Sequence, residues 1–138
     1  MIARRGLVAG FVLCTLLAAG GCQPYHIFRA PPGTVVHVVL VKLKDPAKRD
    51  DLMRSCREDL ARIGTVRRWT YGPPIDTGRG ERVDSAYDVG LTFEFDDAEG
   101  YRAYLASGGH AAFIERWQSE FASLRIFDYA EPADPSLR

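Results

Sequence analysis

From residue 35 onward the apolar positions repeat with two different periods, and the switches between them mark out the elements. Val35 to Leu43 is rich in β-branched residues and predicts a strand. Asp45-Pro46 follows, a capping carboxylate with proline at the first helical position. Leu52, Met53, Cys56, Leu60 and Ile63 then fall on one helical face, and Gly64 suits the stop. Val66 to Gly72 predicts a second strand, ended by Pro73-Pro74, and Ile75 to Ser85 is a polar, glycine-containing loop. The clearest strand is Ala86 to Phe95, where Tyr87, Val89, Leu91, Phe93 and Phe95 alternate with smaller or polar residues. Asp96 and Glu99 are expected to cap a short helix carrying Tyr101, Tyr104 and Leu105. Ser107-Gly108-Gly109 interrupts it. A second helical piece is expected from about His110 to Ser123, with Phe113, Ile114, Trp117, Phe121 and Leu124 on one stripe. Leu124 to Tyr129 predicts the last strand.

The order β-α-β-β-α-β is that of a ferredoxin-like α+β fold: four antiparallel strands with the helices on one face. In the first strand Val36, Val38 and Leu40 point one way, while Val39, Val41 and Leu43 point the other. Both faces are apolar, yet one helical layer covers one face. The economical solution is a homodimer whose two sheets close into a dimeric α/β barrel. The alternative is that long loops or the tail cover that face.

What precedes the domain looks like an address. Arg4 and Arg5 are followed by an apolar run, Leu7 to Ala19, then by Ala19-Gly20-Gly21 directly before Cys22. This is the layout of a signal peptide over residues 1–21, with an apolar stretch that is short for a stable membrane span. Small residues followed at once by cysteine are similar to a bacterial lipoprotein box. That similarity implies acylation of Cys22 and a lipid-anchored protein of the cell envelope, with Gln23 consistent with outer-membrane sorting. A plain signal peptide or an uncleaved anchor is the other reading. Residues 22–34, with Pro24, Pro31 and Pro32, would be a stiff tether, 35–130 the domain and 131–138 a polar tail.

Composition narrows the function classes. The 138 residues carry 18 Lys+Arg against 18 Asp+Glu, so the electrostatic footprint of a general nucleic-acid binder is missing. No phosphate loop and no zinc-finger spacing is present, and the three histidines (His26, His37 and His110) do not cluster in sequence, so neither cofactor nor metal is expected. With Cys14 in the signal and Cys22 acylated, Cys56 stands alone and is expected to be a packed thiol.

Four segments together resemble the Dabb family, the stress-responsive A/B barrels. They are His37–Lys44, Tyr87-Asp88, Tyr104–Phe113 and Ile126-Phe127-Asp128-Tyr129. The family's turn before the last histidine contains a His-Pro pair. Ser107-Gly108 stands there instead, so one imidazole of the usual cluster is missing and the turn is expected to be looser. The resemblance implies a dimeric barrel. Most members have no established activity, some look like polyketide cyclases, and similar barrels act as monooxygenases. In cyclase-type members a Tyr and a His spaced as Tyr104 and His110 are here supply acid–base chemistry.

The residues suit that chemistry. His110 sits at a helix start, where the backbone dipole favours a neutral imidazole base. Tyr104 could donate to an enolate oxygen, and His37 could face the same cavity. Gly90 and Thr92 would leave room for a ligand, and Trp69, Tyr71 and Trp117 could line it. Each has a structural alternative: His110 bonding a carbonyl or capping its helix, Tyr104 and the aromatics filling the core, His37 holding its strand. Two readings follow. One is an envelope lipoprotein that binds a small hydrophobic ligand or a partner. The other is a cyclase- or lyase-like catalyst of proton transfer on a polyketide-like carbonyl substrate.

Overall fold

The computed structural model describes residues 30–132. The expected signal peptide, Cys22, the tether before residue 30 and the tail beyond residue 132 lie outside the described residues.

Strand β1 (Val35–Leu43) pairs antiparallel with β3 (Val89–Phe95) on one side and β4 (Phe121–Ala130) on the other. Strand β2 (Arg68–Gly72) pairs with β3, so the sheet order is β2-β3-β1-β4. One face is covered by α1 (Arg49–Ser55), which continues as a π turn over Cys56–Leu60, and by α2 (Ala98–Leu105) and α3 (Gly108–Trp117). This is a ferredoxin-like fold. The alternation read from β1 and β3 places Val35, Val39, Val41 and Leu43, with Val89, Leu91, Phe93 and Phe95, on the helical side. They pack against Leu52, Cys56, Leu60, Tyr104, Phe113 and Trp117.

Local chemistry sets the joints. Asp45 accepts from the Ala47 N–H at 3.0 Å and opens the first helical turn with Pro46 inside it. Asp88 accepts from the Leu43 N–H at 2.8 Å and from Lys42 Nζ at 3.0 Å, tying the entrance of β3 to the end of β1. Ser107 Oγ accepts from the His110 N–H at 3.2 Å and caps α3, so the turn expected to be loose is held by its own serine.

Several boundaries differ from expectation. The cap of α2 is Asp97, whose carboxylate takes the Gly100 N–H at 2.8 Å; Asp96 instead pairs with Arg67. The first helix ends at Leu60, before Gly64. Helix α3 stops at Trp117, and after one tight turn Phe121 already belongs to β4. The stripe Phe113, Trp117, Phe121 keeps one face through this change because pairing with Leu43 turns Phe121 towards the same core. Tyr87 leaves the apolar row of β3. A Cβ on Gly90 would meet its ring at 3.4 Å and Leu40 Cδ2 at 3.5 Å, so Tyr87 and Leu40 close over that bare backbone.

Gly90 lies on the outer face, away from the helices, which bears on both coverings considered for that face. Asp84 pairs with Arg125 there, so the loop before β3 shields one end. At the other end the β4 side stays open, with Phe127 and Tyr129 54% and 56% exposed, whereas Val36 beside Tyr129 on β1 is buried. As the edge strand, β4 also leaves Leu124 and Ile126 exposed on the helical side, where the helices do not reach it.

Candidate functional site

Between the sheet and the helices lies a cavity of about 300 Å³. Val39, Val41, Leu91 and Phe93 form its floor, Leu60, Leu105, Phe113 and Ile114 its helical wall, and Phe121, Leu124 and Ile126 its side along β4. Set into this apolar lining are His37, Tyr101, Tyr104, His110 and Asp128. An apolar chamber with a few convergent polar groups has the chemistry and size of a small-molecule site. The three residues singled out in the sequence therefore line one space. The Tyr104 and His110 rings meet edge-on with centroids 4.9 Å apart, and His37 lies 6.2 Å from Tyr104.

His37 is carried inward by the same alternation that buries Val35 and Val39, and it is 5% exposed. Its Nδ1 lies 2.6 Å from Asp128 Oδ1, directly across the β1–β4 ladder. The Tyr101 hydroxyl from α2 completes the group. It is 3.0 Å from Asp128 Oδ2, to which it donates, and 3.0 Å from His37 Nδ1. Burial, then the hydrogen bond to Asp128, pushes the Tyr101 phenol up to about 12, so its proton stays in place at neutral pH.

Tyr104 is 1% exposed, yet its hydroxyl has no hydrogen-bond partner among the described residues. Burial holds its pKa far above the ordinary phenol value, so it remains a donor. His110 is held below the ordinary histidine value first by burial and then by the nearby His37, against a smaller opposing effect of the Leu105 carbonyl. Burial thus favours the neutral imidazole expected there. Cys56 lies on the buried stripe, its thiol pushed up to about 12 by burial, and is a packing group.

Gly90 and Thr92 do not make room for a ligand here, because they occupy the opposite face of the sheet from His37, Tyr104 and His110. Trp69 and Tyr71 stack on each other at 5.0 Å along β2, and Trp117 packs with Phe113 in the core; none of the three lines the cavity. Sequence reasoning assigned no part in the site to Asp128 or Tyr101. A signal existed: Asp128 continues the row Leu124, Ile126, and His37 interrupts the row Val35, Val39, Val41, so each is a polar residue on an inward stripe. Among the described residues no group of His, Cys, Asp and Glu could hold a metal ion.

A four-stranded antiparallel sheet with its helices on one face defines the class of protein. The model of the Dabb family, the Stress responsive A/B Barrel Domain, matches residues 35–131, and the chain belongs to that family. A Dabb family protein with a ferredoxin-like fold from Mesorhizobium loti is similar at 24% identity, with 71% of this chain and 96% of that chain covered and a TM-score of 0.61. A dimeric protein of unknown function from Bacteroides fragilis is 25% identical over 71% of this chain and 96% of its own, at a TM-score of 0.55. The hydroxynitrile lyase of Passiflora edulis is 16% identical over 75% and 98%, at 0.63. No curated protein matches the chain.

Proposed function

We propose that this protein binds a small, mainly apolar carbonyl compound in the cavity and moves a proton at the carbon next to the carbonyl. The carrying observation is Tyr104, a buried ring whose hydroxyl opens on the cavity with no hydrogen-bond partner among the described residues, beside two imidazoles in an apolar chamber. A ligand oxygen in the cavity would give that hydroxyl an acceptor. In the reaction a C–H bond breaks, its proton passes to an imidazole nitrogen, and the electron pair moves into the carbonyl to form an enolate. Tyr104 then donates to the enolate oxygen. Most of the lining is apolar, and the donors are fixed in place before charge develops.

The test is deuterium exchange. The full chain, purified and incubated with a 1,3-diketone in D2O, should label the central carbon faster than buffer alone, and Tyr104→Phe should lose most of that acceleration. Exchange no faster than buffer would overturn catalysis; calorimetric binding of the same diketone would then favour a ligand-holding protein.

Two further readings belong to this proposal. The exposed apolar residues of edge strand β4, Phe127 and Tyr129 outside and Leu124 and Ile126 within, support a homodimer joined through this side of the sheet. Arg4, Arg5, the apolar run and Cys22 support a lipid anchor holding the dimer at a membrane of the cell envelope. Incorporation of labelled palmitate that persists in Cys22→Ser would remove that residue from the role.

A further inference from the structure

We infer that His37, held by Asp128 and Tyr101, is the group that receives the proton, and that Asp128 and Tyr101 are its positioning residues. The inference rests on the proton-transfer reading above and assigns the step within it. It departs from the sequence expectation, in which His110 was the base.

The geometry sets the tautomer. A carboxylate oxygen 2.6 Å from an imidazole nitrogen is attractive only if that nitrogen carries hydrogen, since two lone pairs at that distance repel. His37 therefore has its proton on Nδ1. The Tyr101 hydroxyl hydrogen is directed to Asp128 Oδ2, which leaves the phenol oxygen facing the same Nδ1–H. Both oxygens of Asp128 are thereby engaged, so the carboxylate is fixed from two elements, β1 and α2. With Nδ1 occupied, the basic lone pair of His37 sits on Nε2, in a ring that lines the cavity and makes no other hydrogen bond among the described residues.

The charges decide between the two imidazoles. The base becomes an imidazolium in the step. At His37 that charge forms against a carboxylate already bonded to the far side of the ring, as in an Asp-His pair that orients and stabilises its histidine. At His110 it forms in a half-buried position facing His37, with the Leu105 carbonyl as the opposing group. The C–H proton accordingly passes to His37 Nε2 and returns from it, Nδ1–H stays bonded to Asp128 throughout, and Tyr104 holds the enolate oxygen. His110 remains neutral as part of the wall.

The experiment combines ¹⁵N NMR of the imidazoles with deuterium exchange into the 1,3-diketone, on the full chain. Expected for the parent is a pyrrole-type Nδ1 and a pyridine-type Nε2 on His37. Asp128→Asn, which keeps the shape, should admit the Nε2–H tautomer and slow exchange at least tenfold with diketone affinity retained. Tyr101→Phe should slow it severalfold. His37→Gln should cost at least a hundredfold and His110→Gln less than tenfold. A parent His37 carrying hydrogen on Nε2, a tautomer indifferent to Asp128→Asn, or a larger loss at His110 than at His37 would overturn the inference. The tautomer measurement decides its positioning part even if the parent exchanges no diketone, an outcome that instead removes the proposed reaction.

Discussion

Replacing Tyr104 by Phe should stabilise this protein, although Tyr104 is among its most buried residues at 1% exposure. The ring packs with Phe93, Phe95 and His110, with centroid separations of 5.7, 5.0 and 4.9 Å, and Phe preserves all of these contacts. What is lost is a hydroxyl that no described residue satisfies. A buried polar group without a partner costs about 1–3 kcal/mol. Because the hydroxyl borders a cavity with room for water, the lower end applies, and a gain of about 1 kcal/mol is expected. For a domain of this size that corresponds to a rise of about 4–8 °C in Tm. Tyr101→Phe is the matched control. It removes a hydrogen bond donated to Asp128 from a partly exposed ring, and should lose about 1 kcal/mol. Urea unfolding followed by the fluorescence of Trp69 and buried Trp117 measures both, with an unchanged slope confirming that the same transition is compared. A Tyr104→Phe variant destabilised as much as Tyr101→Phe would show that the hydroxyl is already satisfied. The claim of a donor kept free for a ligand would then fail.

Three other outcomes follow from the same contacts. His110 is held below its ordinary value, so above about pH 6.5 it is neutral in both folded and unfolded chains. As pH falls through that value the unfolded chain binds the proton first, and stability is lost until the native ring also titrates; His110→Gln should flatten this part of a stability–pH curve. Cys56, fully buried with its thiol pushed up to about 12, should resist an aromatic disulfide reagent in the native protein and react only as fast as the chain opens globally, whereas brisk native labelling would contradict its packing. Phe127→Asp with Tyr129→Asp places charge on the open end of the outer face. Sedimentation velocity should report a dimer for the parent and a monomer for this variant, and a parent that stays monomeric at high concentration would refute the dimer.

The elements were legible where the encoding is local. Alternation in Val89–Phe95, Asp45 before Pro46, and the stripe Leu52, Cys56, Leu60 each depend on neighbours within a turn or two, and the structure keeps them. The misplacements also have local causes. Asp96 and Asp97 are equally good caps by type, and only the extended backbone at Asp97 settles which one turns its carboxylate to Gly100. Phe121 keeps helical spacing from Trp117 while already paired with Leu43, because an inward stripe can pass from helix to strand without changing face. Tyr87 kept the period of β3 in sequence, but the bend before Val89 sent its ring to the other side.

By itself, then, the order of residues determined the period of each segment, its start and stop signals, the ferredoxin-like arrangement and the family to which the domain belongs. It also marked His37, Tyr104 and His110 as candidates. Tertiary structure alone decided that His37 meets Asp128, ninety-one residues away, and that Tyr101 joins them while Tyr104, one helical turn further on, is left without a partner. It also decided that the cavity lies under the helices and not over Gly90 and Thr92. The physical reason is range. Periodicity records which face a residue takes on its own element, whereas a hydrogen bond between elements depends on strand order and register, which arise only when distant apolar stripes are buried together.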